Sequence, residues 1–303
     1  MEALILLIAY HFLFFWKVYS NPFNVARSEL LSTFFPSWIQ LGRGEKHDHY
    51  YWGNFTAHPV LSSYYPLHKI SSLLWSKLGR DNQFTCWTML ITLHHLFCSI
   101  GWFLLILSWS NYYVALFGAI TLTYSAYNIK QQPCIAYTIG WFPWLLLGIA
   151  SQNLWLSSLS FGMVLLSGYY PLGIQCFLIA LGATWLWTPQ DFWWVLWGTI
   201  IGLPQLIPFL KYIPKTIRAN KHDSIGKVPW WHFISVFHPI KTSLNSVGYW
   251  EMAYYCGILA PILACFTTSR VWPLSLISAF LMMGFLGSHL PRIPARWSFS
   301  FQF

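Results

Sequence analysis

Residues 84–108 read FTCWTMLITLHHLFCSIGWFLLILS, a run of 25 residues that contains no Asp, Glu, Lys or Arg. A helix needs about 20 mostly apolar residues to cross the hydrocarbon core of a bilayer. The run is therefore long enough to span a membrane. Its two consecutive histidines, His94 and His95, lie near its middle. Ionisable side chains inside a span are candidates for polar contacts between helices or for function.

The composition of the whole chain agrees with a membrane protein. Of its 303 residues, 56% are hydrophobic and only 8% are charged, whereas about a quarter of the residues of a soluble domain are charged. Such a chain lacks the charge to cover a surface in water. The 20 Trp, 24 Phe and 17 Tyr residues fit extensive interfacial surface, because aromatic rings favour the headgroup level. The six cysteines form no C-x-x-C pair and are predicted to be core residues.

Nine apolar segments are predicted to span the membrane, so we expect an all-α, polytopic fold. The first segment is expected to be a retained anchor and not a cleaved signal peptide, because it lacks a basic n-region and a small-residue cleavage site. The nine predicted spans are 3–19, 84–108, 112–127, 134–150, 154–168, 172–188, 192–210, 252–268 and 272–288.

These spans predict one transmembrane domain over residues 1–303 with two long loops. Within the first loop, residues 28–41 and 67–78 carry apolar residues at helical spacing, which is typical of helices that lie in the membrane interface. The predicted order is a first span at 1–19, a first loop at 20–83, a six-span bundle at 84–210, a second loop at 211–251, two spans at 252–288 and a tail at 289–303.

Nine alternating spans place almost all basic residues on one side of the membrane. Of the 17 Lys and Arg residues, only Arg270 falls on the opposite side, and Lys17 lies at the border. The positive-inside rule would put this face in the cytoplasm, although the rule is weak for loops beyond about 60 residues. An anionic substrate such as a lipid phosphate would instead explain basic residues outside the cell. Charge alone favours the cytoplasm.

The first loop holds the densest set of reactive side chains. Glu29 and Asp48 are candidate general bases toward a hydroxyl, and the histidines His47, His49 and His58 are candidate substrate-binding residues. The alternative is a solvated loop with ordinary ion pairs. His47 and His49 have no spacing typical of a structural zinc site, so we predict no resident metal. A divalent cation that bridges a carboxylate and a phosphate is favoured over a structural metal.

Two basic stretches are candidate phosphate sites. Lys211, Lys215 and Arg218 follow the seventh predicted span at steps of four and three residues, which would gather them on one helix face. The alternative is that they are juxtamembrane cations attracted to lipid headgroups. In the tail, Arg292 and Arg296 offer guanidinium groups suited to bidentate phosphate contact.

The order of short motifs along the chain resembles the YfhO-type bacterial integral membrane proteins, within the GT-C superfamily of glycosyltransferases. Members of that family are much longer, so the resemblance implies a short member or an N-terminal portion. The family usually has Asp where this chain has Glu29, which keeps Asp48 as a second candidate base. The matching motifs are Phe34-Phe35-Pro36-Ser37-Trp38, Gly44-Glu45, Tyr64-Tyr65-Pro66, Leu166-Ser167-Gly168-Tyr169-Tyr170-Pro171, Gly202-Leu203-Pro204-Gln205-Leu206-Ile207-Pro208, Phe237-His238-Pro239 and Arg292-Ile293-Pro294-Ala295-Arg296.

The resemblance implies a GT-C-like fold in the cell membrane with its long loops outside the cytoplasm. The donor would be a sugar on a polyprenyl phosphate, and the acceptor a cell-envelope glycan or lipid. Glu29 or Asp48 would be the base of an inverting transfer. Substrate-binding residues would be His47, His49, His58, Tyr64, Tyr65, Lys211, Arg218, Arg292 and Arg296.

Other functions fit a polytopic chain as well. A lipid or glycolipid transporter or flippase would also bind lipid phosphates, but it should show paired half-repeats or broken helices that carry polar residues at mid-membrane. The predicted spans are poor in such residues beyond His94, His95 and Glu251. A truncated homologue without catalytic activity would depend on no carboxylate. For each of these functions the lipid bilayer is an expected partner, and nucleic acid is not.

Overall fold

The computed structural model describes residues 2–21, 35–43, 64–75, 77–124, 133–188 and 191–212. Every regular element in these ranges is a helix, so the predicted all-α class is confirmed for this part of the chain. The helices are α1 (Glu2–Phe14), α2 (Trp16–Ser20), α3 (Phe35–Gly42), α4 (Pro66–Trp75), α5 (Arg80–Leu107), α6 (Tyr112–Thr123), α7 (Pro133–Ala150), α8 (Leu154–Leu166), α9 (Tyr170–Trp187) and α10 (Trp193–Tyr212).

Helices occupy the positions of the first seven predicted spans. The predicted spans 252–268 and 272–288 lie outside the described residues. Helices α3 and α4 occupy parts of 28–41 and 67–78, where helices in the membrane interface were predicted.

Two of these helices are long and apolar enough to cross a membrane. They are Asp81–Leu107, with 27 residues, and Trp193–Lys211, with 19 residues. The remaining candidates among the described residues are shorter apolar helices. At 1.5 Å per residue, the 12 residues of α6 are about 18 Å long, against a hydrocarbon core of about 30 Å. The nine predicted spans are therefore not confirmed, and length and composition support two.

Helices α5 and α7 run side by side in the same direction. A Cβ added at Gly140 would lie 3.3 Å from the His94 carbonyl oxygen, and Trp144 Nε1 donates to the Phe97 carbonyl at 3.1 Å. Gly101 sits opposite Trp144, where an added Cβ would lie 2.8 Å from the indole. The contacts advance together along both helices, which makes the pair parallel.

Helices α8 and α10 also run parallel, and their backbones come very close. A Cβ added at Gly198 would lie 2.9 Å from the Ser158 carbonyl oxygen, and one added at Gly202 would lie 2.6 Å from the Leu165 Cβ. Small residues four apart, as in Gly198 and Gly202, permit such close approach and are typical of helix contacts in membranes. The short links place α9 antiparallel to both helices.

The directions of the helices give the bundle two distinct ends. At one end, links join α5 to α6, α7 to α8 and α9 to α10. We call it the aromatic end, because large aromatic side chains there are more than half exposed: Trp109, Tyr113, Trp155, Trp185 and Trp193. The opposite end, where α5 and α7 begin and α10 finishes, is the loop end.

All six Lys and Arg residues in the described ranges lie at the loop end: Lys17, Arg43, Lys69, Lys77, Arg80 and Lys211. This is the side to which the sequence assigns most of the basic residues of the chain. Helices α3 and α4 pack against each other there, and Phe35 and Trp38 contact Phe84 and Trp87 in the first turns of α5.

Substitution of Gly198 by Ala should destabilise the fold by about 1–3 kcal/mol, because the new methyl group overpacks the α8–α10 contact. The measurement is the thermal unfolding midpoint of the detergent-solubilised protein. Gly173→Ala is the matched control, since its Cβ would meet only Val164 at 3.7 Å. An equal loss of stability in both variants would contradict the close contact of α8 and α10.

Candidate functional site at the loop end

Tyr65 lies directly before α4 and is fully buried in the bundle. Its hydroxyl group lies 2.7 Å from His94 Nε2, and Trp141 Nε1 donates to the hydroxyl oxygen at 2.7 Å. His94 Nδ1 lies 2.7 Å from the Leu90 carbonyl oxygen. A carbonyl only accepts, so Nδ1 carries the proton and Nε2 accepts from Tyr65. The donors therefore follow one another from Trp141 to Tyr65 to His94. These hydrogen bonds join α7, the residue before α4, and α5.

Aromatic stacking holds the same segment against α7. The rings of Tyr65 and Tyr137 are parallel within 9° at a centroid distance of 4.4 Å. His68, on α4, has Nδ1 2.9 Å from the Tyr137 hydroxyl oxygen. Desolvation raises the pKa of Tyr65 well above its usual value and lowers the pKa of His68 to about 3, with a smaller contribution from His94. Both side chains are neutral at physiological pH.

The neighbouring residue connects the loop to the last described helix. The backbone N–H of Tyr64 donates to Gln205 Oε1 at 3.3 Å, and Gln205 is buried on α10. Lys211 is exposed and lies six residues further along α10, about 9 Å along the helix axis. The structure thus brings three of the predicted substrate-binding residues, Tyr64, Tyr65 and Lys211, to the loop end.

The beginning of the first loop is fixed to the same helix as Tyr65. Tyr19, on α2, has its hydroxyl oxygen 2.6 Å from His11 Nε2 and 3.1 Å from Thr92 Oγ1. His11 Nδ1 lies 3.0 Å from the Tyr124 hydroxyl oxygen. Tyr19 therefore binds α5 at Thr92, and Tyr65 binds it at His94. The contacts on either side of residues 20–64 are therefore two residues apart on α5.

The other predicted site residues lie outside the described residues, and their roles stay predictions. They are the candidate bases Glu29 and Asp48 and the candidate substrate-binding residues His47, His49, His58, Arg218, Arg292 and Arg296. Within the described ranges, no three His, Cys, Asp or Glu side chains come together as metal ligands.

Tyr64 and Tyr65 differ in what they offer a ligand. The Tyr65 hydroxyl is engaged by two protein groups, which makes it a fixing point for the segment. Tyr64 is 42% exposed, so its ring is accessible at the loop end together with Lys211.

Sequence reasoning missed His68, Tyr137 and Trp141. A signal for His68 existed in the helical spacing of residues 66–75, which puts His68, Ser71 and Ser72 on the side opposite Leu73 and Leu74. Tyr137 and Trp141 gave no such signal, because they lie in an apolar run with many other aromatic residues.

Comparison with known proteins gives no family assignment: no family model matches the chain, and neither does any curated protein or solved structure.

Tyr65→Phe should destabilise the protein, because it leaves His94 Nε2 and Trp141 Nε1 buried without their partner. Each unsatisfied buried group costs about 1–3 kcal/mol. Tyr64→Phe is the matched control, since the structure buries the Tyr65 hydroxyl and leaves the Tyr64 side chain partly exposed. The measurement is the thermal unfolding midpoint of each variant in detergent. Equal midpoints for Tyr65→Phe and Tyr64→Phe would show that the hydrogen bonds of Tyr65 contribute nothing to stability.

Stability should fall as the pH is lowered from 6.5 towards 3, partly through His68. Above pH 6.5, its usual pKa, the imidazole is neutral in the folded and the unfolded chain. Below that pH the unfolded chain gains a proton that the folded chain excludes down to about pH 3, which costs up to about 1.4 kcal/mol per pH unit.

His68→Asn keeps a hydrogen-bonding group near Tyr137 and removes the titration. The slope of the unfolding midpoint against pH between 6.5 and 5 should therefore be smaller in His68→Asn than in the wild type. A slope that the substitution leaves unchanged would mean that His68 is protonated in the folded protein.

Proposed function

We propose that this chain is a multi-pass membrane glycosyltransferase that moves a sugar from a polyprenyl-phosphate carrier to a cell-envelope acceptor, with inversion. The observation that carries the proposal is the attachment to α5, at Thr92 and His94, of Tyr19 and Tyr65, which flank residues 20–64 of the first loop. The loop between them contains Glu29 and Asp48. Those candidate bases thus belong to a segment that starts and finishes at the loop end.

The membrane part of the proposal has support from the surface of the described helices. Large apolar side chains such as Leu13, Ile5 and Leu196 are exposed along α1 and α10, where water would disfavour them. The exposed Trp and Tyr residues of the aromatic end resemble the aromatic belts that mark the membrane–water interface. The glycine contacts between α8 and α10 are of the kind that holds helices together in lipid.

The charge at the loop end suits an anionic lipid carrier. Lys211, an exposed residue, lies on the helix that binds Tyr64 through Gln205. We propose that Lys211, with Arg218, Arg292 and Arg296, stabilises the phosphate that leaves the sugar, a contribution that is largest where water is excluded. Apolar helix surfaces would accept the polyprenyl tail.

The proposed reaction needs one proton acceptor. A carboxylate, Glu29 or Asp48, takes the proton from the acceptor hydroxyl as its oxygen attacks the anomeric carbon. The bond from that carbon to the phosphate oxygen breaks, and the carrier phosphate leaves with the electron pair. The resemblance to YfhO-type proteins supports this chemistry and the extracytoplasmic placement of the loops.

The test is transfer of radiolabelled sugar from polyprenyl-phosphate donors in membranes that contain the wild type, Glu29→Gln or Asp48→Asn at equal expression. Loss of transfer in one variant by at least about 100-fold, the usual contribution of a general base, would identify the base. Activity that survives in both variants would contradict the proposed site.

No transfer by the wild type from any of several donors would contradict the enzyme itself. Lys211→Gln is a further variant, expected to lower kcat because the leaving phosphate loses a stabilising cation, and Lys17→Gln is its matched control at the same end of the bundle.

A further inference from the structure

Helix α4 has its polar side turned inward and its apolar side turned outward. His68, Ser71 and Ser72 are buried, whereas Leu67, Ile70, Leu73 and Leu74 are exposed, Leu74 to 66%. This is the reverse of a surface helix in a water-soluble protein, whose apolar stripe faces the core.

Hydrogen bonds hold α4 in this orientation. On its inner side His68 meets the Tyr137 hydroxyl group, and Trp38 Nε1 donates to Ser71 Oγ at 3.1 Å. Ser71 Oγ in turn donates to the His68 carbonyl oxygen at 2.9 Å. Rotation of the helix to bury Leu73 and Leu74 would break these contacts and leave buried polar groups without partners. The outward apolar side is therefore a built-in feature of the fold.

Two lysines flank the apolar side of α4. Lys69 lies between His68 and Ile70, and Lys77 follows two residues after the helix; both are exposed. An apolar helix face bordered by cations is the composition of helices that lie in the plane of a membrane surface. The long apolar stems of lysine can lie along such a surface while the ammonium groups reach the headgroups.

We infer that α4 lies in the plane of the bilayer, with Leu67, Ile70, Leu73 and Leu74 among the acyl chains at the headgroup boundary. Lys69 and Lys77 contact the phosphates of anionic lipids, which complement their charge. The occupant of the exposed face is thus an anionic lipid surface. The inference goes beyond the proposed transferase and requires no sugar transfer, since it concerns the seating of α4 in the membrane.

Depth-dependent quenching of a fluorescent thiol label tests this placement. Leu74→Cys and Lys77→Cys are labelled with bimane in nanodiscs, and the labelled parent chain gives the blank for the native cysteines. The label at Leu74 should be quenched several-fold more by brominated lipid than the label at Lys77, and iodide in the water should show the reverse order. Thermal unfolding of each variant checks that the fold is kept.

Two results would overturn the inference. Strong iodide quenching at Leu74 would place the face in water. A label at Leu74 that neither quencher reaches would mean that protein covers the face, either another part of this chain or a second copy.

The role of the lysines has its own readout. Lipid quenching at Leu74 should be greater in discs that contain phosphatidylglycerol than in discs of phosphatidylcholine alone. In a Lys69→Gln, Lys77→Gln variant this difference should disappear, and Lys17→Gln is the control at another site of the loop end. If this difference in quenching persists in the double variant, Lys69 and Lys77 do not make the headgroup contacts assigned to them.

Discussion

The hydrogen bond between the Tyr65 hydroxyl group and His94 Nε2 is the contact on which the arrangement of the loop end depends. One oxygen atom connects the segment before α4 to the middle of α5, and through Trp141 also to α7. A buried polar group without a partner costs about 1–3 kcal/mol, whereas an ordinary hydrogen bond contributes about 0.5–1.5 kcal/mol, so loss of one partner here destabilises more than one bond. The positions of α4 and of His68 follow from it.

Helix α5 binds Tyr19 and Tyr65, which lie on either side of residues 20–64, and its geometry separates these two contacts. Thr92 and His94 are two residues apart, which places them about 200° apart around a helix of 3.6 residues per turn. Tyr19 therefore approaches α5 from one side and Tyr65 from nearly the opposite side. Residues 20–64 therefore begin and end on different sides of this helix.

The sequence predicted where helices lie because apolar runs reveal their own extent. The run 154–168 contains Leu154–Leu166, and 84–108 largely coincides with Arg80–Leu107. The polar contacts between helices could not be predicted, because Tyr65 and His94 or His68 and Tyr137 pair across 29 and 69 positions. Periodicity within one helix reveals a face but not its partner. For the same reason the pattern in α4 predicted an interfacial helix and left open which side it buries.

The buried and exposed side chains of α8 indicate whether water or lipid surrounds the bundle, and this indication does not depend on helix length. Ser157, Ser158 and Ser160 are buried there, whereas Trp155 and Leu159 are exposed. Water would select the opposite arrangement, because burial of apolar area is the main driving force of folding in water. In hydrocarbon, apolar side chains gain nothing from leaving the solvent, and small polar residues favour close helix contacts. The same helix also buries Phe161, Val164 and Leu166, so its polar and its apolar contacts both face inward while Trp155 and Leu159 face outward. Together with α4, whose polar side is turned inward, this distribution supports the membrane environment that we propose.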